Sequence, residues 1–269
     1  MAIAGVALLV LCGVLLLVRR SQQSRLFEIM TTETTTTKAL IDAAKYVAER
    51  LGEIGSFNRI VEVKGTIKCG NPITSEIAQQ PCVYYEMSVT REYEESYWDT
   101  DARTRHRRQR IRRGSETVAS NSQRVPFWVE DATGRILIEP DHAEIDPVQV
   151  VDRFEPGEQR GSRAIGFGDH RVEVGGFLSG SGRRTLGYRF REKLLPLDRR
   201  VYVLGEASDA SGELAIRAPR EKGKRFIISL KSEEELIRSS RSTVRWLLAG
   251  SVVSGILGAV LILAGMLGQ

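Results

Sequence analysis

The chain has 269 residues, 42% hydrophobic and 27% charged, with a formal net charge of +5. Three cysteines are too few for a disulfide-built fold, and three histidines with no paired Cys/His clusters exclude a structural zinc site. The charge leaves both ends apolar and the middle polar, which is the layout of a membrane hairpin carrying one folded domain.

Ala2–Val18 is uncharged over 17 residues, just short of the roughly 20 that span a bilayer as a helix. A secretory signal carries basic residues before its apolar run, whereas here Arg19 and Arg20 follow it. A retained anchor is the reading; a cleaved signal and lipidation at Cys12 are its competitors. Residues 21–37 read as a stalk, because the threonines of 31–37 favour caps and extended chain over helix interior. Leu40, Ile41, Ala44, Val47, Ala48 and Leu51 then recur at helical spacing, opposite Asp42, Lys45, Glu49 and Arg50. Thr37 is placed to cap this helix and Gly52 to end it.

From Asn58 the pattern becomes that of strands. Residues 60–67 alternate apolar and polar, and 82–89 are aromatic and β-branched. Val125–Glu130, the turn Asp131-Ala132-Thr133-Gly134 and Arg135–Glu139 predict a hairpin, with Gly134 supplying a positive φ. Further strands are expected at 172–174, 184–190, 200–205, 213–217 and 226–229. Ser232 followed by Glu235 is a capping box, and carboxylates at 233–235 suit the positive end of a helix dipole. That helix is expected to run into the second anchor, Trp246–Leu267, 22 residues without charge. Strands without helical crossovers argue against a doubly wound sheet. The expected fold is mainly β (α+β): an antiparallel barrel or packed sheets over 38–240, with flanking helices, between two transmembrane helices at 1–20 and 244–268.

The strongest charge feature is residues 103–113, where seven of eleven residues are arginine: Arg103, Arg105, Arg107, Arg108, Arg110, Arg112 and Arg113. The stretch before it is acidic, with Glu92, Glu94, Glu95, Asp99 and Asp101. Three readings compete. Anionic lipid headgroups would attract such a loop at about 1 kcal/mol per basic side chain. Nucleic-acid backbone would use the same charges and is the least favoured partner. A solvated hairpin would pair the acidic and basic arms across two strands.

Gly250, Ser254 and Gly258, with Ser251, Gly255 and Ala259 one step round, form small-residue stripes on the second anchor. Such spacing lets helices approach closely, and the alternatives are the first anchor, a second copy in a homo-oligomer, or no partner at all. Arg19, Arg20 and Arg25, and Lys231, Arg238, Arg241 and Arg245, flank the inner ends of the anchors. By the positive-inside rule both anchors place the domain in the cytoplasm. The expected location is a two-pass protein of a prokaryotic plasma membrane. No nucleophile elbow or phosphate loop is present; the glycine-rich 175–182 lacks a following Gly-Lys-Ser/Thr. No catalytic residue, metal or cofactor is assigned, and Cys69 and Cys82 leave room for a single disulfide.

Pro81-Cys82-Val83-Tyr84-Tyr85-Glu86, residues 125–134, Leu186-Gly187-Tyr188 with Arg191-Glu192, Val201–Ala207 and Phe226–Ser229 together resemble the GIDE domain. This domain lies between the two membrane helices of mitochondrial ubiquitin ligases and of prokaryotic relatives. The resemblance covers most of 40–240 and implies a β-rich domain that binds an unidentified protein partner or regulates an attached ligase. E3 ubiquitin ligase activity is the alternative that the family name implies. In the eukaryotic relatives a RING finger follows the second helix and recruits the ubiquitin-charged enzyme; this sequence stops at Gln269 without the eight zinc ligands a RING needs. The resemblance therefore implies a membrane-anchored sensor or scaffold that is not catalytic by itself.

Overall fold

A computed structural model describes residues 2–51, 55–100, 107–156, 164–167, 170–173 and 183–267. Its helices are α1 (Ala2–Thr31), α2 (Thr37–Leu51) and α3 (Glu233–Leu267). In chain order its strands are β1 (Asn58–Lys68), β2 (Ile73–Thr74), β3 (Pro81–Thr100), β4 (Arg107–Arg124), β5 (Phe127–Glu130), β6 (Arg135–Ile138) and β7 (Glu144–Asp146), then β8 (Val148–Pro156), β9 (Ala164–Phe167), β10 (His170–Glu173), β11 (Arg183–Pro196), β12 (Arg200–Ser208), β13 (Ala215–Arg217) and β14 (Ile227–Ser229). The fold is mainly β, as the alternating patterns predict.

Five strands close into a barrel in the order β1-β5-β6-β13-β12, and β12 returns to pair with β1 from Asn58↔Ser208 to Thr66↔Arg200. The ring is antiparallel except where β13 lies parallel to β6. The fourth ring strand in chain order lies beside the first, which makes a Greek key and the arrangement of OB-fold barrels. Closure removes the free edges that invite aggregation. Alternate side chains of β1 (Val61, Val63, Ile67) meet Val129, Ile136, Ile138, Val201, Val203 and Ile216 in the barrel core. Leu40 and Ala44 of α2 join that core, so the amphipathic helix plugs the barrel with its apolar stripe. β14 and β7 extend from the other edge of β12.

The start of α2 differs from the sequence expectation. Thr36 caps the helix, its hydroxyl accepting the Ala39 amide at 3.3 Å. Thr37 instead gives its amide and hydroxyl to the Asp131 carboxylate, each at 2.8 Å. Asp131 also accepts from the Thr133 amide and hydroxyl and the Gly134 amide. Burial works against ionisation, but the Thr133 and Thr37 bonds win and hold this carboxyl down to about 2. The turn is thus built by the Asp131 side chain, and Gly134 is not among the residues with positive φ. Gly52 and the glycine-rich 175–182 lie outside the described residues.

A second sheet, β4-β3-β11-β8 with β2 on the end of β3, grows from the barrel through the turns that join β3 to β1 and β11 to β12. Its core holds Tyr85, Met87, Val89, Val118, Phe190 and Leu194. Buried Glu192 accepts the amides of Ile77 and Ala78 at 2.8 and 2.7 Å, fixing the loop between β2 and β3. The strand expected at 172–174 is β10, paired with β9. The cysteines are all free, so Cys69 and Cys82 form no disulfide.

Both α1 and α3 are long and apolar enough to cross a membrane. They lie side by side: a methyl on Gly255 would sit 3.4 Å from Cys12 Sγ, and one on Gly258 would sit 3.0 Å from the Gly5 carbonyl. The small-residue stripe of the second anchor is therefore filled by the first anchor. Carried along, this antiparallel register brings Arg20 level with Trp246 and Ile29 level with Ile237. α1 continues to Thr31, so the first part of the 21–37 stalk is helical and extends the anchor by about 16 Å. The Ser232–Glu235 capping box forms as expected, with both amide bonds present at 3.0 and 3.3 Å.

Candidate functional site

Two regions bring chemistry together: the arginine strand and the joint between barrel and helices.

β3 and β4 form a long ribbon in which several acids face a base, while Glu86 and Glu92 face Ser122 and Ser115. Glu94 is opposite Arg113, Glu95 opposite Arg112 and Asp99 opposite Arg108. Arg113 Nε donates to Glu94 at 3.0 Å, while Glu95 is held at 3.2 Å by Arg183 of β11. This register is that of the hairpin reading. β11 accompanies β3 only from Cys82 to Glu95, so Ser96–Thr100 and Arg107–Ile111 project beyond it as a two-stranded finger. Arg107, Arg108, Arg110, Arg112 and Arg113 all lie on β4 and are exposed; Arg103, Arg105 and His106 lie outside the described residues.

Strand alternation sorts the finger into two faces. Arg108, Arg110 and Arg112 share one with Tyr97. Trp98 and Ile111, 65% and 68% exposed, share the other with Arg107 and Arg113. The arginine run is visible in the sequence, but its pairing with an exposed tryptophan and isoleucine emerges only from the register.

At the root of the finger, Arg91 is buried and donates to Thr185 at 2.9 Å and to Glu116 at 3.0 Å. Arg91 and Arg183 both lie against the Tyr93 ring, at 5.7 and 4.8 Å from its centre. Such contacts stiffen the base from which the finger projects.

The joint is built on the outer face of β1 and β12. Alternation marks Glu62 as solvent-facing, yet it is fully buried. Its carboxylate accepts from Thr34 at 2.5 Å, Tyr202 at 3.0 Å and Lys64 at 3.0 Å. Lys64 also reaches Glu233, the first residue of α3, at 2.7 Å. Burial and the Glu62 carboxylate push the Tyr202 hydroxyl far above the ordinary phenol range. Beside this network Ile29 of α1 and Leu236 of α3 pack on Tyr202, Leu204 and Ile227. The strand's polar face is thus covered by the bases of both long helices, which local sequence pattern does not reveal.

Among the described residues neither region pairs a nucleophile with a base. Among the described residues no group of three His, Cys, Asp or Glu side chains could hold a metal. Cys82 is fully buried, and burial together with the nearby Glu192 pushes its thiol up to about 11.

The family model GIDE, described as E3 Ubiquitin ligase, matches residues 99–264. That span takes in β4, the barrel strands β5, β6, β12 and β13, and nearly all of α3. No curated protein and no solved structure matches the chain.

Proposed function

The chain belongs to the GIDE family, and from that premise we propose that it is a membrane-anchored binding module. Its β body recruits an acidic protein partner through the arginine finger and performs no transfer chemistry itself. The observation that carries this reading is the finger: a projecting ribbon with Arg108, Arg110 and Arg112 on one face and exposed Trp98 and Ile111 on the other. Arginines sharing a face with an exposed aromatic residue, as these three do with Tyr97, have the composition of interaction hot spots. Placement supports a partner in the aqueous phase over the protein's own bilayer. α3 starts beside Lys64 and passes along β1 towards Ile60 on its way to the anchor. The finger's sheet is rooted at Pro196 and Cys82, past the opposite end of β1. Basic residues at the inner ends of both anchors support a cytoplasmic body.

A photo-crosslinking side chain at Gln109, in native membranes, tests the reading. Discrete protein adducts that vanish in R108E/R110E/R112E are expected. Adducts to lipid or nucleic acid alone, or none, overturn it.

The family description supports ligase activity as the second reading. Its transfer step uses eight Cys and His zinc ligands, and these 269 residues supply six such side chains, Cys12 being within an anchor. Stoichiometric zinc in the purified chain, or ubiquitin transfer by it alone, would favour that reading over the first.

A further inference from the structure

Between the barrel and the apolar part of α3 lie about three turns of helix carrying Arg238, Arg241 and Arg245. At spacings of three and four they share one face, and all three are exposed. No carboxylate pairs with any of them among the described residues; Arg241 reaches only the Met30 sulfur of α1, at 3.7 Å. They line a shallow groove of about 790 Å³ with Glu234, Ile237, Ser242, Trp246 and Ala249, so three guanidinium groups outnumber one carboxylate there. Trp246 is 76% exposed and begins the charge-free run. The same face continues through Val253, Ile256 and Val260, each more than half exposed. Across the helix pair, Arg19 and Arg20 end the apolar part of α1 at this level.

We infer that this face of α3 binds an anionic phospholipid of the leaflet the body rests on. The phosphate sits among Arg241, Arg245 and Arg238, the glycerol region beside Trp246, and one acyl chain along Ala249, Val253 and Ile256. The groove is cationic at one end and apolar at the other, in the order a bilayer presents charge and hydrocarbon. Arginine forks suit phosphate oxygens, and tryptophan favours the headgroup level. A soluble phosphate would satisfy the arginines alone, whereas only a lipid also occupies the apolar half. Gly250, Gly255 and Gly258 of α3 face α1, so the other side of the helix stays open to this ligand. The inference rests on the membrane reading of the two anchors and is independent of the arginine finger.

The test uses the full chain with Trp98 and Trp128 changed to Phe, so that Trp246 alone emits. It is reconstituted in phosphatidylcholine vesicles with a minor fraction of brominated phosphatidylglycerol or brominated phosphatidylcholine. Stronger quenching by the anionic probe is expected, equivalent to a preference of roughly fivefold or more. The preference should survive R238K/R241K/R245K and vanish in R238Q/R241Q/R245Q, with quenching by the neutral probe unchanged. Equal quenching by both probes in the parent chain overturns the inference while leaving the anchor intact. No quenching by either probe overturns the membrane reading itself. Excess inorganic phosphate that abolishes the preference would assign the arginines to a soluble anion and overturn the lipid assignment.

Discussion

The Tyr202 hydroxyl donates to the Glu62 carboxylate at 3.0 Å on the outside of the barrel, yet both side chains are sealed from solvent. Thr34 approaches from the chain that leaves α1, and Lys64 links the pair to Glu233 at the start of α3. One carboxylate therefore gathers the barrel and both long helices. Y202F is expected to cost about 1–2 kcal/mol by removing one bond from a buried charge. E62A is expected to cost about 2 kcal/mol or more, because it leaves the buried Tyr202 hydroxyl without its acceptor while Lys64 keeps Glu233. Denaturant unfolding of the detergent-solubilised chain measures both. The double variant should cost less than the sum, since the two residues belong to one network.

The Asp131 carboxyl sits at about 2 in the folded chain, below the ordinary value of about 3.9. A carboxyl depressed on folding stabilises the fold above its unfolded value and loses that contribution as pH falls through its folded value. The window here runs from about pH 4 down to about 2. Asp131 is only partly buried, so solvent screens the effect and a modest change is expected. The protection factors of the Thr37 and Gly134 amides, which donate to this carboxylate, should fall as pH drops through that window. In D131N both amides should exchange faster at neutral pH and show no such acid step.

The packing of Gly255 against Cys12 gives a direct reading of who occupies the small-residue stripe. With the added Cβ 3.4 Å from Cys12 Sγ, G255C places two thiols within disulfide reach. Mild oxidation in membranes should give an intramolecular bond, seen as a faster-migrating monomer on non-reducing gels. A predominant disulfide-linked dimer would show that two copies meet through this stripe instead. Adding G5V, whose side chain would collide with the Gly258 carbonyl and Ile262, should reduce the crosslink.

Cys82 offers a probe of the second sheet. Its thiol is raised to about 11 and fully buried, so at neutral pH it is protonated and shielded. Iodoacetamide should label the partly exposed Cys69 and spare Cys82 until the chain is unfolded. Mass spectrometry of the two peptides decides this, and comparable labelling of both in the folded chain would contradict the packing described.

Much of the architecture was readable from local pattern. The anchors, the stripe of α2, the alternation of β1 and the Ser232–Glu235 box all depend on residues within a few positions of one another. What escaped depended on distant partners. The barrel closes between β1 and β12, whose paired residues Asn58 and Ser208 are far apart in sequence. β8 reads poorly because much of it is exposed on an edge. Thr36 and Thr37 are indistinguishable as caps until Asp131 arrives from another turn to claim the second. Glu62 follows the alternation rule and still ends buried, because two helices from opposite ends of the chain cover that face. The arginine strand was legible as charge; its companions Trp98 and Ile111 needed the register between β3 and β4.

α3 is continuous from Glu233, held at the barrel by Lys64, to Leu267 at the far end of its apolar run. No proline and no irregular turn interrupts it, so it acts as a stiff lever arm between the barrel and the apolar run. Apolar spans meet a change in bilayer thickness by tilting. With α1 packed alongside and the Glu62 clasp at the barrel, a tilt of the apolar run would swing the β body through the same angle.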